Sequence, residues 1–296
     1  MVADASGPAA ALYLDLLKRC LTDVIHADDP LAAAVPAGTA SRGAAPRLAL
    51  RLAAAAATRL GLILAEPQRT PYASHAGLDG EAIRALRETG ADWPPRAHTM
   101  IGRERLDNLQ RCIETVLGDG IPGDLIETGV WRGGAASLMR GVLAAHGDPD
   151  RRVWVADSFR GLPPPDAAAY PADRGDGLHK VGFLAVSRER VEANFRAYGL
   201  LDERVRFLEG WFADTLPAAP IERLAVLRLD GDLYASTIQA LEALYDRLSV
   251  GGFVIIDDYA LPGCRRAVED FRRARAIADP IEAIDWTGVW WRKGRG

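Results

Sequence analysis

Two acidic clusters each close an apolar run of the chain. Leu224-Ala225-Val226-Leu227-Arg228-Leu229 leads into Asp230-Gly231-Asp232, and Gly252-Phe253-Val254-Ile255-Ile256 leads into Asp257-Asp258. Short continuous apolar runs are the signature of buried parallel strands. Open α/β sheets bind ligands outside the carboxyl ends of such strands. Four carboxylates delivered there together repel one another unless a cation or a proton lies between them. A hard, oxygen-ligated divalent metal meets that demand, so the pattern points to an enzyme with a metal at its reacting centre.

A second constellation is the turn Glu127-Thr128-Gly129-Val130-Trp131-Arg132-Gly133-Gly134. Gly129 permits a tight turn, and Gly133-Gly134 let a helix start approach a ligand closely. The spacing is not the dinucleotide fingerprint, because Trp131 stands where a second glycine is needed. Glu127 beside the turn disfavours a pyrophosphate and suits a cationic ligand such as an amino group or a sulfonium. Asp157, ending Val153-Trp154-Val155-Ala156-Asp157, is placed to accept hydrogen bonds from ribose hydroxyls. A nucleoside without phosphates that carries an amino acid fits both features, and S-adenosylmethionine is such a molecule.

Alternating strand and helix signals must position these residues. Strands are expected at 124–128, 152–157, 205–209, 224–230 and 253–258, with helices at 134–145 and 187–198 and Ser187 as the N-cap of the latter. This alternation indicates βαβ units and a parallel sheet. Residues 105–117 read as a helix ending at Gly118, and 281–285 with 288–292 as an antiparallel hairpin. The Pro/Gly/Asp-rich stretch 162–182 lacks periodicity, and a loop of that length is usually functional. Upstream, residues 9–26 carry a helical pattern, followed by an Ala-rich zone from 29 to 64.

Composition narrows the function classes. The 296 residues carry 36 Lys and Arg against 40 Asp and Glu, a net charge of -4. That balance argues against a nucleic-acid binder, which normally shows a basic stripe. Cys20, Cys112 and Cys264 are widely separated, which favours a reducing compartment over a disulfide framework. The most membrane-like stretch, 45–64, carries Arg47, Arg51 and Arg59, which are costly in hydrocarbon. The expectation is a soluble cytoplasmic protein with no membrane or nucleic-acid partner, and a homodimer or higher oligomer through the apolar N-terminal zone.

The runs from Asp124 to Gly134, Val153 to Phe159 and Leu227 to Tyr234 together resemble the macrocin O-methyltransferase family. The likeness extends through 97–102, 210–217, 254–259 and 284–288, and covers roughly 90–293. It implies a class I methyltransferase fold of Rossmann type, with a mostly parallel seven-stranded sheet, a C-terminal antiparallel hairpin and an N-terminal helical extension. It also implies S-adenosylmethionine as donor and a Mg²⁺ ion. Carried over position by position, Asp230, Asp257 and Asp258 match metal ligands and Asp232 the general base. Thr99 and Met100 match a segment lining the methionine half of the cofactor, and Glu127, Thr128, Gly129, Val130 and Trp131 the turn beneath it. Asp157, Ser158 and Phe159 match the ribose contact and Asp214 a residue near the adenine.

The expected division is an extension at 1–90, acting as lid or oligomer contact, and a methyltransferase domain at 91–296 with a lid loop at about 162–182. The expected reaction is Mg²⁺-dependent methylation of a deoxysugar hydroxyl on a glycosylated small molecule of the macrolide type. A catechol-type O-methyltransferase is the nearest alternative, but such enzymes often use a Lys base and Asp232-Leu233-Tyr234 supplies none. A cofactor-binding regulatory protein is a third reading, opposed by the intact acidic residues. A dehydrogenase is disfavoured by the glycine spacing. His98, His179 and Trp286 are weaker candidates for contacts at the site.

Overall fold

A computed structural model describes residues 7–26, 34–36, 65–67, 78–94 and 96–294. The Ala-rich zone lies almost wholly outside them, as do Arg47, Arg51 and Arg59. The chain divides into two compact units, residues 1–18 with 104–296, and residues 19–103.

In the larger unit a seven-stranded sheet forms from β3 (Asp124–Thr128), β4 (Val153–Asp157), β5 (Val205–Glu209), β6 (Leu224–Leu229), β7 (Leu248–Ile256), β8 (Glu282–Ala283) and β9 (Val289–Arg292), in the order β5-β4-β3-β6-β7-β9-β8. The first five strands in that order are parallel, and β9 pairs antiparallel with β7 and with β8. All six residues of β6 are buried, as a central strand covered on both faces requires. The edge strand β5 is half exposed, in keeping with its mixed Val-Arg-Phe-Leu-Glu composition. β3 is flanked on one side by β4 and on the other by β6, so the strand order reverses there and a crevice opens at their carboxyl ends. This is the class I methyltransferase architecture expected from the sequence, including the C-terminal hairpin. β7 starts earlier than expected, at Leu248, because Gly251 takes φ +86 and bends the strand without ending it.

Helix α1 (Pro8–Leu21) opens the chain, and α3 (Arg103–Gly118) precedes the sheet. α3 buries Leu106, Leu109, Ile113 and Val116 on one stripe and stops where Gly120 adopts φ +64 and the Ile121 N–H returns to the Val116 carbonyl at 2.9 Å. The remaining helices of this unit are α4 (Gly134–Ala145), α5 (Arg188–Ala197), the single turn α6 (Phe212–Thr215), α7 (Tyr234–Leu244) and α8 (Pro262–Ala274). Ser187 caps α5 by accepting the Arg190 N–H. α8, with Pro262 in its first turn, is an element that the sequence reading did not single out. The long loop is not featureless: it holds short 3-10 turns at Pro171–Asp173, Leu178–Lys180 and Gly182–Leu184. No helix among the described residues is long and apolar enough to cross a membrane.

In the smaller unit, β1 (Ala34–Pro36) and β2 (Ala65–Pro67) pair antiparallel, and α2 (Gly80–Glu88) is capped by Asp79, which accepts the Ala82 N–H. The buried Arg87 guanidinium bonds the Asp23 carbonyl at 2.6 Å and Asp92 at 3.4 Å, which explains why Asp92 is buried beside Trp93.

Candidate active site

Parallel pairing fixes the acidic residues at one sheet end. The Asp230 N–H donates to the Thr128 carbonyl and the Asp257 N–H to the Leu229 carbonyl, so the clusters after β6 and β7 lie side by side. One oxygen from each of Asp230, Asp257 and Asp258 falls within a group no wider than 4.8 Å. A small octahedral cation needs ligand oxygens about 3 to 4 Å apart, given metal–oxygen bonds of about 2.0 to 2.1 Å, so little movement separates this cluster from a ligand set. Asp232 stands against it, its backbone N–H donating to Asp258 Oδ2 at 2.9 Å.

Two buried arginines, absent from the sequence reading as site residues, run through the cluster. The Arg228 Nη1 donates to Glu127 Oε1 at 2.5 Å and to Asp230 Oδ2 at 2.9 Å, while Nη2 donates to Asp257 Oδ1. Arg105 Nη1 donates to Asp257 Oδ2 at 2.5 Å and Nε to Asp285 Oδ2 at 2.8 Å. Part of the cation that the carboxylates demand is therefore protein, a contribution that the acidic runs alone did not reveal. Glu127, Asp230, Asp257 and Asp285 bond the two guanidinium groups, and Asp232 and Asp258 stand beside them, so carboxyl groups outnumber the protein cations six to two. A carboxylate has about four lone-pair sites, so Asp257 can hold both arginines and still face a metal.

The excess charge shows in the titration of the group. Burial, then Asp257, pushes Asp230 up to about 6 against the pull of Arg228. Burial, then Asp230 and Asp257, pushes Asp232 up to about 8. Asp258 is raised well above the carboxylate range by burial and by Asp232. Without a bound cation Asp230, Asp232 and Asp258 keep their protons to higher pH than ordinary aspartates.

The second half of the site is the turn between β3 and α4. Glu127 is 2% exposed; its Oε1 holds Arg228, and its Oε2 has no hydrogen-bond partner among the described residues. Burial pushes its carboxyl up to about 8 despite Arg228 and the nearby Ala136 N–H, which both favour the charged form. An orphaned buried acceptor at the carboxyl end of a strand suits an ammonium group of a bound ligand. Thr128 is buried behind it. Gly129 takes φ +82, and a Cβ there would lie 1.7 Å from the Asp230 carbonyl oxygen. Gly129→Ala is therefore expected to cost about 4 kcal/mol or more, since clash and backbone strain act together. Thermal melting checks this, and a variant melting within about 2 °C of the parent would contradict it. At Gly133 a Cβ would meet Val191 Cγ1 of α5 at 2.7 Å, so this glycine also serves close helix packing.

Asp157 closes the turn from β4. Its Oδ2 accepts the Val130 N–H at 2.8 Å and its Oδ1 the Phe159 N–H at 2.7 Å. The Trp131 N–H also bonds this carboxylate and Ser158 Oγ lies 3.5 Å from Oδ1, so much of its accepting capacity shapes the turn itself. Ser158 Oγ donates to the Gly161 carbonyl at 2.7 Å, so it shapes the loop start. Trp131, Phe159 and Asp232 all have positive φ, at 46°, 55° and 58°. Such backbone conformations in non-glycine residues gather at functional sites. Asp214 lies exposed in α6, just beyond β5.

Thr99 and Met100 belong to the smaller unit, where Thr99 is buried and its N–H donates to the Leu21 carbonyl at 3.2 Å. His98, in the same unit, also donates its N–H to Leu21. His179 sits in the 3-10 turn 178–180 of the long loop. Trp286, in the loop between β8 and β9, is 63% exposed with the Arg105 guanidinium 5.9 Å from its ring centroid. Asp285 beside it accepts the Thr287 and Gly288 N–H groups as well as Arg105. Arg228 had a readable signal, a lone charge inside a fully apolar strand, whereas Arg105 and Asp285 lie 180 residues apart and nothing in the sequence pairs them.

Residues 10–293 match the macrocin-O-methyltransferase (TylF) family. The chain is 53% identical over 285 residues to the 8-demethyl-8-(2,3-dimethoxy-alpha-L-rhamnosyl)-tetracenomycin-C 4'-O-methyltransferase of Streptomyces olivaceus, covering 96% of this chain and 93% of that one. It is also 53% identical to the mycinamicin III 3''-O-methyltransferase of Micromonospora griseorubida, over 74% of this chain and 88% of the relative. Among solved structures, the O-methyltransferase NovP aligns with TM-score 0.77 and 45% identity, over 97% of this chain and all of that one. The calicheamicin methyltransferase CalS11 shares the fold, with TM-score 0.52 and 20% identity, over 86% of this chain and 98% of that one.

Proposed function

The chain belongs to the macrocin O-methyltransferase family of S-adenosylmethionine-dependent enzymes, and we propose that it methylates a hydroxyl of a deoxysugar carried by a glycosylated natural product, with Mg²⁺ held by Asp230, Asp257 and Asp258. The observation that carries this reading is the juxtaposition of two half-sites at one sheet end. An orphaned Glu127 oxygen suits the cofactor's amino group, and a carboxylate cluster suits a divalent ion. Relatives named for 4'- and 3''-O-methylation of tetracenomycin and mycinamicin glycosides support a sugar hydroxyl as acceptor.

The cofactor supplies an electrophilic methyl group, and a divalent ion bound beside it supplies Lewis-acid polarisation that eases loss of the acceptor's proton. Asp232 takes that proton. Its backbone N–H donates to Asp258 Oδ2 at 2.9 Å, which sets it beside the ligand carboxylates. Arg228 and Arg105 fix the Asp257 carboxylate in place, so the ligand set is organised before binding. Asp157, Ser158 and Phe159 receive the ribose, Thr128, Gly129, Val130 and Trp131 form the floor beneath the methionine half, and Asp214 lies towards the adenine. For Thr99 and Met100 the role rests on the family resemblance. Residues 91–296 carry the chemistry and 1–90 an accessory extension. A homo-oligomer, supported by the exposed Leu12 and Leu16 of α1, and a cytoplasmic setting, supported by free cysteines, complete the reading.

Two measurements test it. S-adenosylhomocysteine is expected to raise the melting temperature and NAD to leave it unchanged. Across a panel of deoxysugar glycosides, their aglycones and catechols, labelled methyl is expected on glycosides alone. Labelling of catechols in place of sugars would favour the catechol-type alternative.

Metal binding carries its own pH signature. Asp230, Asp232 and Asp258 titrate higher in the folded protein than the ordinary value of about 4 in the unfolded chain. The metal-free fold therefore binds more protons than the unfolded chain, and loses stability as pH rises through about 6 to 8. Bound Mg²⁺ removes that penalty by displacing the protons. The melting shift produced by Mg²⁺ is expected to grow between about pH 6 and pH 8.5. A shift independent of pH would contradict the proposed ligand set.

A further inference from the structure

Asp173 stands in the long loop between exposed neighbours, yet it is 4% exposed. Its Oδ1 accepts the Tyr234 N–H at 2.7 Å and its Oδ2 the Ala235 N–H at 2.9 Å. These are the first two amides of α7, where the capping position is Leu233 and no side chain caps locally. A helix start has four N–H groups without intrahelical partners and a positive dipole end. A carboxylate spanning two of them makes charge-assisted bonds. The cap that α7 lacks in sequence thus arrives from about sixty residues upstream.

Neighbouring contacts hold the carboxylate there. The 3-10 turn Pro171–Asp173 presents it, and the Tyr170 ring lies 6.0 Å from that of Tyr234. Gln239 Nε2, one turn further along α7, donates to the Tyr170 hydroxyl at 3.2 Å. At the start of α8, a Cβ on Gly263 would come 3.0 Å from Asp173 Oδ1, so the glycine leaves room for it. The far end of the loop is tied to the cofactor turn, where Trp131 Nε1 donates to the Phe183 carbonyl at 2.9 Å.

The consequence falls on Asp232, two residues before Tyr234. Its backbone has φ 58°, and its N–H is spent on Asp258. With Asp258 gripping one side of the Asp232-Leu233-Tyr234 segment and Asp173 the other, the strained residue is held at both ends. We propose that Asp173 is a positioning residue, a latch that pins the loop to the amino end of α7 and keeps Asp232 in its catalytic place. This rests on the reading of Asp232 as the base.

Hydrogen–deuterium exchange of the full chain with S-adenosylhomocysteine, for the parent, Asp173→Ala and Asp173→Asn, tests the latch without an acceptor. In Asp173→Ala, amides of 162–184 and 232–237 are expected to exchange about tenfold to a hundredfold faster, as loss of two charged hydrogen bonds implies. Strands β3 and β6 keep their protection, and S-adenosylhomocysteine affinity stays within about threefold. Asp173→Asn, retaining one carbonyl oxygen, falls between. On a sugar the parent methylates, kcat falls at least about tenfold while the KM for S-adenosylmethionine holds. Unchanged exchange at 232–237, uniform acceleration through β3 and β6, or a loosened latch with unaltered kcat would each overturn the proposal. Failure of the parent itself to methylate any sugar would instead defeat the functional reading, and the exchange result would still decide the latch.

Discussion

Asp258→Ala is expected to lower methyl transfer by about a thousandfold or more while leaving S-adenosylhomocysteine affinity within about threefold, because a metal at the acceptor supplies several kcal/mol and each factor of ten is about 1.4 kcal/mol. Asp258 is the cleanest ligand to remove. Its carboxylate accepts the Asp232 N–H, so the base loosens with it on the acceptor side alone, whereas Asp257 carries Arg228 and Arg105. Asp257→Ala would also abolish transfer, but it takes one carboxylate partner from each of two buried guanidinium groups, so a loss of stability would accompany the loss of rate. Steady-state turnover and calorimetric titration with S-adenosylhomocysteine separate the two effects. Equal loss of transfer and cofactor affinity in Asp258→Ala would show that donor and acceptor halves are not divided as argued.

Arg228→Met is expected to destabilise the metal-free protein by about 3 to 5 kcal/mol, the usual cost of breaking a buried ion pair from one side. In melting temperature this is roughly 10 °C for a chain of this size. Three carboxylates, Glu127, Asp230 and Asp257, lose their common partner. The proton affinities of Glu127 and Asp230, already raised by burial, then rise further. The stability they lose is retained at low pH and lost as pH rises through the raised values, so the deficit should be smaller at pH 5.5 than at pH 8. Melting curves at the two pH values, without added metal, give the answer. An equal deficit at both would mean that Arg228 acts by packing and not by charge.

The sheet was largely legible because its strands are buried on both faces and read as apolar runs closed by acids, as β6 does. The metal candidates followed from the same runs. Arg228 escaped notice because a charge inside an apolar run reads as an interruption, when its position among carboxylates is what makes burial tolerable. Asp173 was not legible: a cap delivered across 61 residues from a loop without periodicity leaves no local pattern. Residues 1–18 group with 104–296, a long-range association that no local composition shift announces. At Gly133 the sequence shows that a glycine is needed and not that Val191 approaches it.

The most direct test of the central claim is transfer of labelled methyl from S-adenosylmethionine to a rhamnosylated natural product, with Mg²⁺ and with excess chelator. Labelling of a sugar hydroxyl that disappears with chelator and returns with Mg²⁺ is the predicted result. Labelling that persists in chelator would make Asp230, Asp257 and Asp258 acid–base or structural groups and would contradict the account.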